Sequence, residues 1–414
     1  MIGSPISVAT GPVGIVISPD GTRAYTASIE GNAVTVINTV TNTVVTSIAG
    51  IGRQLLNISP DGSRLYVTNE NANTVSVVNT ATNTVIATVN VGTLPAGVAF
   101  SPDGARAYIT NQTSNNVSVI GGVTSPLFQV TGGTLTTTGN LVSIPASATL
   151  TLAHPLLDVI NSGSVTSNAS LVSVGGTLIV NGPAPLIKIS SGASLTQTDP
   201  TGSVIGSVSV GDMPRGAAVT PDGTRVYVAN RTSTPGSVSV VDTATNAVIA
   251  TIPIVSCCGG PSEPQTIAIS PDGTRAYVAN RLDNSITEIN TQTNTIVQTV
   301  SSGSINGPFG IAVTPNGAVL WVSNANTNTV IVHNPSTLAV TNTIAIGTNT
   351  RYLAISPDGS RAYAVNLGSD DLSVINTATK TVVATVAVGD QPVGVAVSPD
   401  GSRVYVANTL SAPG

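Results

Sequence analysis

The sequence predicts an all-β fold: a β-propeller of four-stranded blades, interrupted by one inserted β module. Three observations predict it: a turn motif that recurs eight times, short period-two strands between the turns, and a composition poor in helix formers. The motif is Ser/Thr-Pro-Asp/Asn-Gly, beginning at Ser18, Ser59, Ser101, Thr220, Ser270, Thr314, Ser356 and Ser398. Most spacings are 41 to 44 residues; the exceptions are 119 between Ser101 and Thr220 and 50 between Thr220 and Ser270. Four short strands every ~40–45 residues make a propeller blade.

Each part of the unit has a local cause. GVAVSPDG (394–401) is a strand of small apolar residues running into a turn, and RVYVAN (403–408) is the strand that follows. In the preceding unit, DLSVIN (371–376) and TVVATVAVG (381–389) alternate apolar and polar residues as third and fourth strands. In the turn, Pro sets φ near −65°, and Asp-Gly tolerates the left-handed backbone of a tight hairpin. An Arg follows two residues after the Gly in seven units. This predicts turn-stabilising pairs Asp20 with Arg23, Asp61 with Arg64, Asp103 with Arg106, Asp222 with Arg225, Asp272 with Arg275, Asp358 with Arg361 and Asp400 with Arg403. The sixth unit loses both partners, having Asn316 and Val319 instead. Tyr25, Tyr66, Tyr108, Tyr227, Tyr277, Tyr363 and Tyr405 share one position in the second strand, with Trp321 replacing Tyr in the sixth unit; they are predicted to pack between blades.

The string Tyr66-Val67-Thr68-Asn69 resembles the signature of the YVTN-type β-propeller repeat proteins, and 227–230, 277–280 and 405–408 are close variants. The resemblance covers roughly 6–120 and 204–408. It implies a propeller and a setting in surface-layer or surface-antigen proteins, although fold alone does not fix function.

Seven units have four strands, and the eighth, from Val393 to Asn408, has only two. Eight blades are predicted, the last completed by residues 5–10. The alternative is seven blades with a spare exposed strand pair, an edge that invites another chain. The predicted organisation is thus propeller over 1–120, insert over 121–203 and propeller over 204–414. Within the insert, short apolar strands start 15 residues apart at Leu141, Leu156, Leu171 and Leu186, with another at Leu127. This period suits the rungs of a β-solenoid, with a small β-sandwich as the alternative.

Charged residues make up 8% of the chain, with 2 Lys and 12 Arg and a formal net charge of −5. So few cations argue against a nucleic-acid partner, and no apolar run approaches the ~20 residues of a membrane span. The start at Met1-Ile2-Gly3-Ser4-Pro5 lacks the basic and apolar regions of a signal peptide, and Ala412-Pro413-Gly414 reads as a trimmed end. A surface rich in hydroxyls and amides and nearly free of Lys fits an extracellular location.

No catalytic cluster stands out. His154 lies in the insert and His333 at the end of a third strand, while Glu30, Glu70, Glu263 and Glu288 are scattered over different units. No cofactor is expected; the Asn runs 69–73 and 324–328 suggest Ca²⁺ as an alternative, with Asx-turns explaining them more simply. Cys257 and Cys258 are adjacent, which suggests a vicinal disulfide. The expected function is therefore that of a non-enzymatic extracellular scaffold that self-assembles in a surface layer or filament. Two alternatives are an adhesin or ligand-binding face, for which Arg215, Arg231, Arg281, Phe309, Arg351 and Tyr352 break the repeat, and a propeller enzyme with an unrecognised metal site. The expected partners are further copies of the chain or a cell-surface glycan or protein.

Overall fold

The computed structural model describes residues 5–51, 55–121, 203–232, 235–256 and 260–410, together with the backbone of nine short strands between 128 and 197. The chain divides into two compact units. One comprises Met1–Asp103, Ala107–Ile120 and Val204–Gly414; the other comprises Gly104–Arg106 and Gly121–Ser203.

The first unit is a seven-bladed propeller of four-stranded antiparallel sheets. In blade 4 the strands run Pro214–Val219, Arg225–Asn230, Gly236–Asp242 and Ala247–Ile254 from the inside outwards. In blade 3 the fourth strand, Ser203–Ser209, pairs with the third, Asn116–Gly121, on the far side of the insert. The inner strands of blades 4 to 7 are Pro214–Val219, Pro264–Ile269, Pro308–Val313 and Thr350–Ile355, and each contacts the next. The apolar core lies between blades. Tyr227, Val238 and Val240 of blade 4 meet Ala276, Val278 and Ile289 of blade 5. A fully buried Val or Ile contributes about 1.5–3 kcal/mol.

The repeated residues knit neighbouring strands and blades. Tyr227 donates its hydroxyl to Thr291 O at 3.2 Å and Asn294 Oδ1 at 2.6 Å in the next blade, and Tyr277 donates to Pro335 O at 3.0 Å. Burial pushes the phenols of Tyr66, Tyr227 and Tyr277 up to about 12. The Asn that ends the second strand ties down the third. Asn280 Nδ2 donates to Ser285 Oγ and Thr287 Oγ1 at 3.0 and 2.9 Å, and Asn230 does the same to Ser237 and Ser239.

In the turn motif the Asp carboxylate is held first by hydroxyl and backbone donors of its own turn. Ser18 Oγ donates to Asp20 Oδ1 at 2.5 Å and accepts from Arg23 N at 3.0 Å, while Thr22 N donates to Asp20 at 3.0 Å. These bonds use the carboxylate's acceptor positions, and three of the guanidiniums also donate to other oxygens. Arg23 donates to Thr22 O, Arg225 to Asn294 Oδ1 and Arg403 to Asn42 Oδ1. The Arg23 charge lowers the Asp20 carboxyl only after the hydrogen bonds from Ser18 and Thr22. Hydrogen bonds from Ser356 and Ser398 hold Asp358 and Asp400 at about 2.

The eighth blade expected from the sequence does not form. Pro392–Val397 and Val404–Asn408 make a two-stranded sheet between blades 7 and 1, which matches the seven-blade alternative. Residues 5–10 take no strand pairing; instead Ile6 and Val8 pack against Ala24, Ile37 and Tyr405. Among the described residues no third strand covers Val404–Asn408, so Val404 and Val406 are half-buried, whereas Val226 and Val228 in blade 4 are fully buried.

In the second unit the ladders are parallel. Phe128–Thr131 pairs with Leu157–Ile160, Thr134–Thr137 with Ser164–Ser167, and Val142–Ile144 with Val172–Val174. Partners lie about 30 residues apart, so this is a solenoid type of ladder in which one 15-residue unit is half a coil rather than a whole rung.

Candidate functional site

The opening position of each inner strand is followed by one residue that differs from blade to blade. It is Val13, Ala96, Arg215, Gln265, Phe309 and Arg351 in blades 1 and 3 to 7, and Val393 in the strand pair. The backbone at this level is tightly held. Thr110 Oγ1, on the second strand of blade 3, donates to Arg215 O at 3.1 Å, and Ser323 of blade 6 likewise donates to Arg351 O. Glycine on the inner strand makes room for this crossing: a Cβ on Gly97 would lie 2.7 Å from Arg215 O and 2.9 Å from Thr110 Oγ1. Blade 5 has Ala279 where blade 3 has Thr110 and Thr266 where blade 3 has Gly97. There the inner strand itself supplies the hydroxyl, and Thr266 Oγ1 donates to Phe309 O.

Three of these variable residues, Arg215, Phe309 and Arg351, gather at the channel mouth, together with Tyr352. The Arg215 guanidinium of blade 4 lies 5.9 Å from the Phe309 ring centroid, and that of Arg351 lies 5.5 Å from it. Tyr352 meets Phe309 edge to face, with centroids 5.1 Å apart at 88°. The contact between Arg215 and Phe309 joins blades 4 and 6 and so spans blade 5, whose residue at this position is Gln265. Contact across an intervening blade requires both side chains to reach into the channel mouth. Among the described residues neither guanidinium has a carboxylate partner. Gln265 is 1% exposed, and both its amide atoms are without a partner. Two guanidiniums held at one ring concentrate positive charge at this level of the channel.

A second group adjoins it. Glu263 immediately precedes the inner strand of blade 5 and is 5% exposed. Its carboxylate takes a hydrogen bond from Arg231 Nε and one at 3.5 Å from Arg281 Nη1. Of the six repeat-breaking residues, the structure therefore gathers Arg215, Phe309, Arg351 and Tyr352, and sets Arg231 and Arg281 apart on Glu263. Gln265 escaped the sequence reading, although it occupies the same repeat position as Arg215.

The remaining expected site residues have structural surroundings or lie outside the described residues. His333 is buried, its Nδ1 is 2.8 Å from Leu338 O, and burial pushes its imidazole down. In the Asn run, Asn69 Nδ2 bonds to Thr74 and Ser76, and Asn73 accepts from Leu94 N. Among the described residues no group of three or more His, Cys, Asp or Glu is gathered as for a metal. Cys257, Cys258 and His154 lie outside the described residues. A groove of about 550 Å³ opens between blades 5 and 6 at the turn end, beside Arg275, Tyr277 and Glu288. Its buried carboxylate is already satisfied: Glu288 accepts from Arg275 Nε at 2.8 Å and Gln298 Nε2 at 2.6 Å. The channel mouth, with unmet donors and acceptors, is the stronger candidate.

Two solved structures resemble the chain. One is described as "Kuenenia stuttgartiensis Hydrazine Synthase"; it is 20% identical with a TM-score of 0.58, over 91% of this chain and 99% of that one. The other is "Dihydro-heme d1 dehydrogenase NirN in complex with DHE", 13% identical with a TM-score of 0.62, over 97% of this chain and 69% of that one. At these identities both show the fold alone. No curated protein sequence matches the chain. The family described as "Lactonase, 7-bladed beta-propeller" matches residues 5–150 and 249–336, more than half of the sequence. That finding corrects two expectations, the structural surface scaffold and the absence of enzymatic function. The chain belongs to the lactonase family of seven-bladed β-propellers.

Proposed function

We propose that the protein is a hydrolase that opens a lactone ring at the channel mouth on blades 4 to 7. The supporting observation is the pair of guanidiniums, Arg215 and Arg351, held beside Phe309 without carboxylate partners among the described residues. Water adds to the lactone carbonyl, the ring C–O bond breaks, and the ring oxygen takes a proton to leave a hydroxy acid that ionises at neutral pH. Negative charge develops first on the carbonyl oxygen and then on the carboxylate. Preorganised cations aimed at developing charge are the largest single contributors in such chemistry. Phe309 and Tyr352 give the ring carbons an apolar wall. The repeats themselves are read as YVTN-type, a statement about the blade: its Asn ties the second strand to the third and its Tyr ties one blade to the next.

The test is proton release, followed in a pH-stat, from the purified full chain with γ-butyrolactone, δ-valerolactone and glucono-δ-lactone. Ring opening above the uncatalysed rate, saturable in lactone and competitively inhibited by simple carboxylates, is expected. Rates that stay at the uncatalysed level with all three would sink the proposal.

A further inference from the structure

Gln265 carries an unmet demand that the propeller does not impose. Its side chain is 1% exposed, and neither Nε2 nor Oε1 has a partner among the described residues. Ser262, three residues upstream and fully buried, has an unpartnered hydroxyl as well. Leaving buried donors and acceptors unpaired destabilises a fold. The same repeat position is apolar in four other units, with Val13, Ala96, Phe309 and Val393, and charged in two, with Arg215 and Arg351, so the blade folds without an amide here. Gln265 holds on the inner strand of blade 5 the position that Arg215 and Phe309 hold on the inner strands of blades 4 and 6.

An amide offers an acceptor oxygen and two N–H donors, the complement of a hydroxyl that both donates and accepts. We infer that Gln265 is the specificity-determining residue of the channel mouth and that the preferred ligand is a hydroxycarboxylate. Its carboxylate sits at Arg215 and Arg351 and its hydroxyl at the Gln265 amide. The inference rests on the lactonase reading of the mouth, because opening a lactone creates a carboxylate and a hydroxyl on one chain. Arg215 is half-buried, with its guanidinium 5.9 Å from the Phe309 ring centroid.

The experiment is calorimetric titration of the full chain with 4-hydroxybutyrate and gluconate, set against butyrate and hexanoate. The hydroxy acids are expected to bind at least about tenfold more tightly, the effect of one well-made hydrogen bond to a buried group. Gln265→Leu should erase that preference, leave butyrate binding unchanged and raise Tm, because an unpaired amide is replaced by an apolar side chain. Gln265→Met serves if the leucine variant does not fold. Equal affinity of the wild type for hydroxylated and plain acids overturns the assignment, as does a preference that survives in Gln265→Leu. Arg351→Gln separates the two ideas. If carboxylates still bind undiminished, or none binds the wild type, the reading of the mouth itself falls. If carboxylates need Arg351 while the hydroxyl makes no difference, only the role of Gln265 falls.

Discussion

The two ends of an inner strand follow different rules. At the turn end the chemistry repeats: Ser18 with Asp20, Thr220 with Asp222, Ser270 with Asp272 and Ser398 with Asp400 make the same short bond, and the carboxylates are satisfied within their own turns. At the mouth end the residue changes with the blade, from Val13 and Ala96 to Arg215, Gln265, Phe309 and Arg351, and polar groups there lack partners. Repetition with carboxylates satisfied inside each turn marks what every blade needs in order to fold. Departure from the repeat with unmet bonding marks what the molecule needs beyond folding.

Arginine substitutions give the largest expected effect. Arg215→Gln and Arg351→Gln should each lower kcat/KM for lactone opening about 10²–10³-fold, the usual cost of removing one preorganised donor at developing charge. Tm should hardly move. Arg361→Gln, at the turn end of blade 7, should change kcat/KM less than about twofold, since its guanidinium lies at the opposite end of the strand layer from the mouth. A turn-end arginine as important as a mouth arginine would break the distinction between the two ends.

Next come the residues that repeat. Asn280 is fully buried and holds Ser285 and Thr287, so Asn280→Ala should destabilise the fold by about 2–3 kcal/mol, read from urea unfolding, with carboxylate binding to the refolded protein unchanged. The hydroxyls beneath the mouth lie between these classes. Thr266→Val removes the bond to Phe309 O and should cost about 1 kcal/mol. It should also lower kcat/KM a few-fold by loosening the aromatic wall, and Thr266→Ser should restore both. Full stability and activity in the valine variant would show that the crossing hydroxyl positions nothing.

Much of this was legible in the sequence. Eight turn motifs at near-constant spacing specify blades because each strand carries its own period-two pattern and turn chemistry. The Tyr and Asn positions were visible as structural because they recur. Blade count was harder: Ile6-Ser7-Val8-Ala9 has the alternation of a strand, but a strand forms only against a partner edge, and pattern alone does not supply one. The hydroxyls of the turn were the part the sequence left unread: loss of Asp and Arg together at Asn316 and Val319 points to a charge pair, whereas Ser18 and Thr220 are the first partners of the Asp20 and Asp222 carboxylates. The mouth was half legible. Arg215, Phe309, Arg351 and Tyr352 stood out by breaking the repeat, whereas Gln265 did not, because glutamine looks at home in a polar chain. Only its 1% exposure with two unpaired amide atoms gives it away.

The smallest effect is the response to pH, and it tests the two ends together. Hydrogen bonds hold Asp358 and Asp400 at about 2 when folded, against about 3.9 for an unfolded aspartate. A lowered carboxyl stabilises the fold above the unfolded value, and that contribution fades as pH falls from about 4 to about 2. Burial raises Tyr66, Tyr227 and Tyr277 to about 12, against about 10 unfolded. A raised phenol stabilises the fold below about 10, and that contribution fades as pH climbs towards 12. The urea midpoint should therefore be flat between about pH 4 and 10 as far as these groups are concerned, falling on either side. Arginine stays charged across the whole plateau, so carboxylate affinity at the mouth should also hold there, as long as the ligand itself is ionised. A drop in urea midpoint centred near pH 6 would mean that a group other than the turn carboxylates governs the acid limit, and the turn end would lose its claim to be the self-contained half of the molecule.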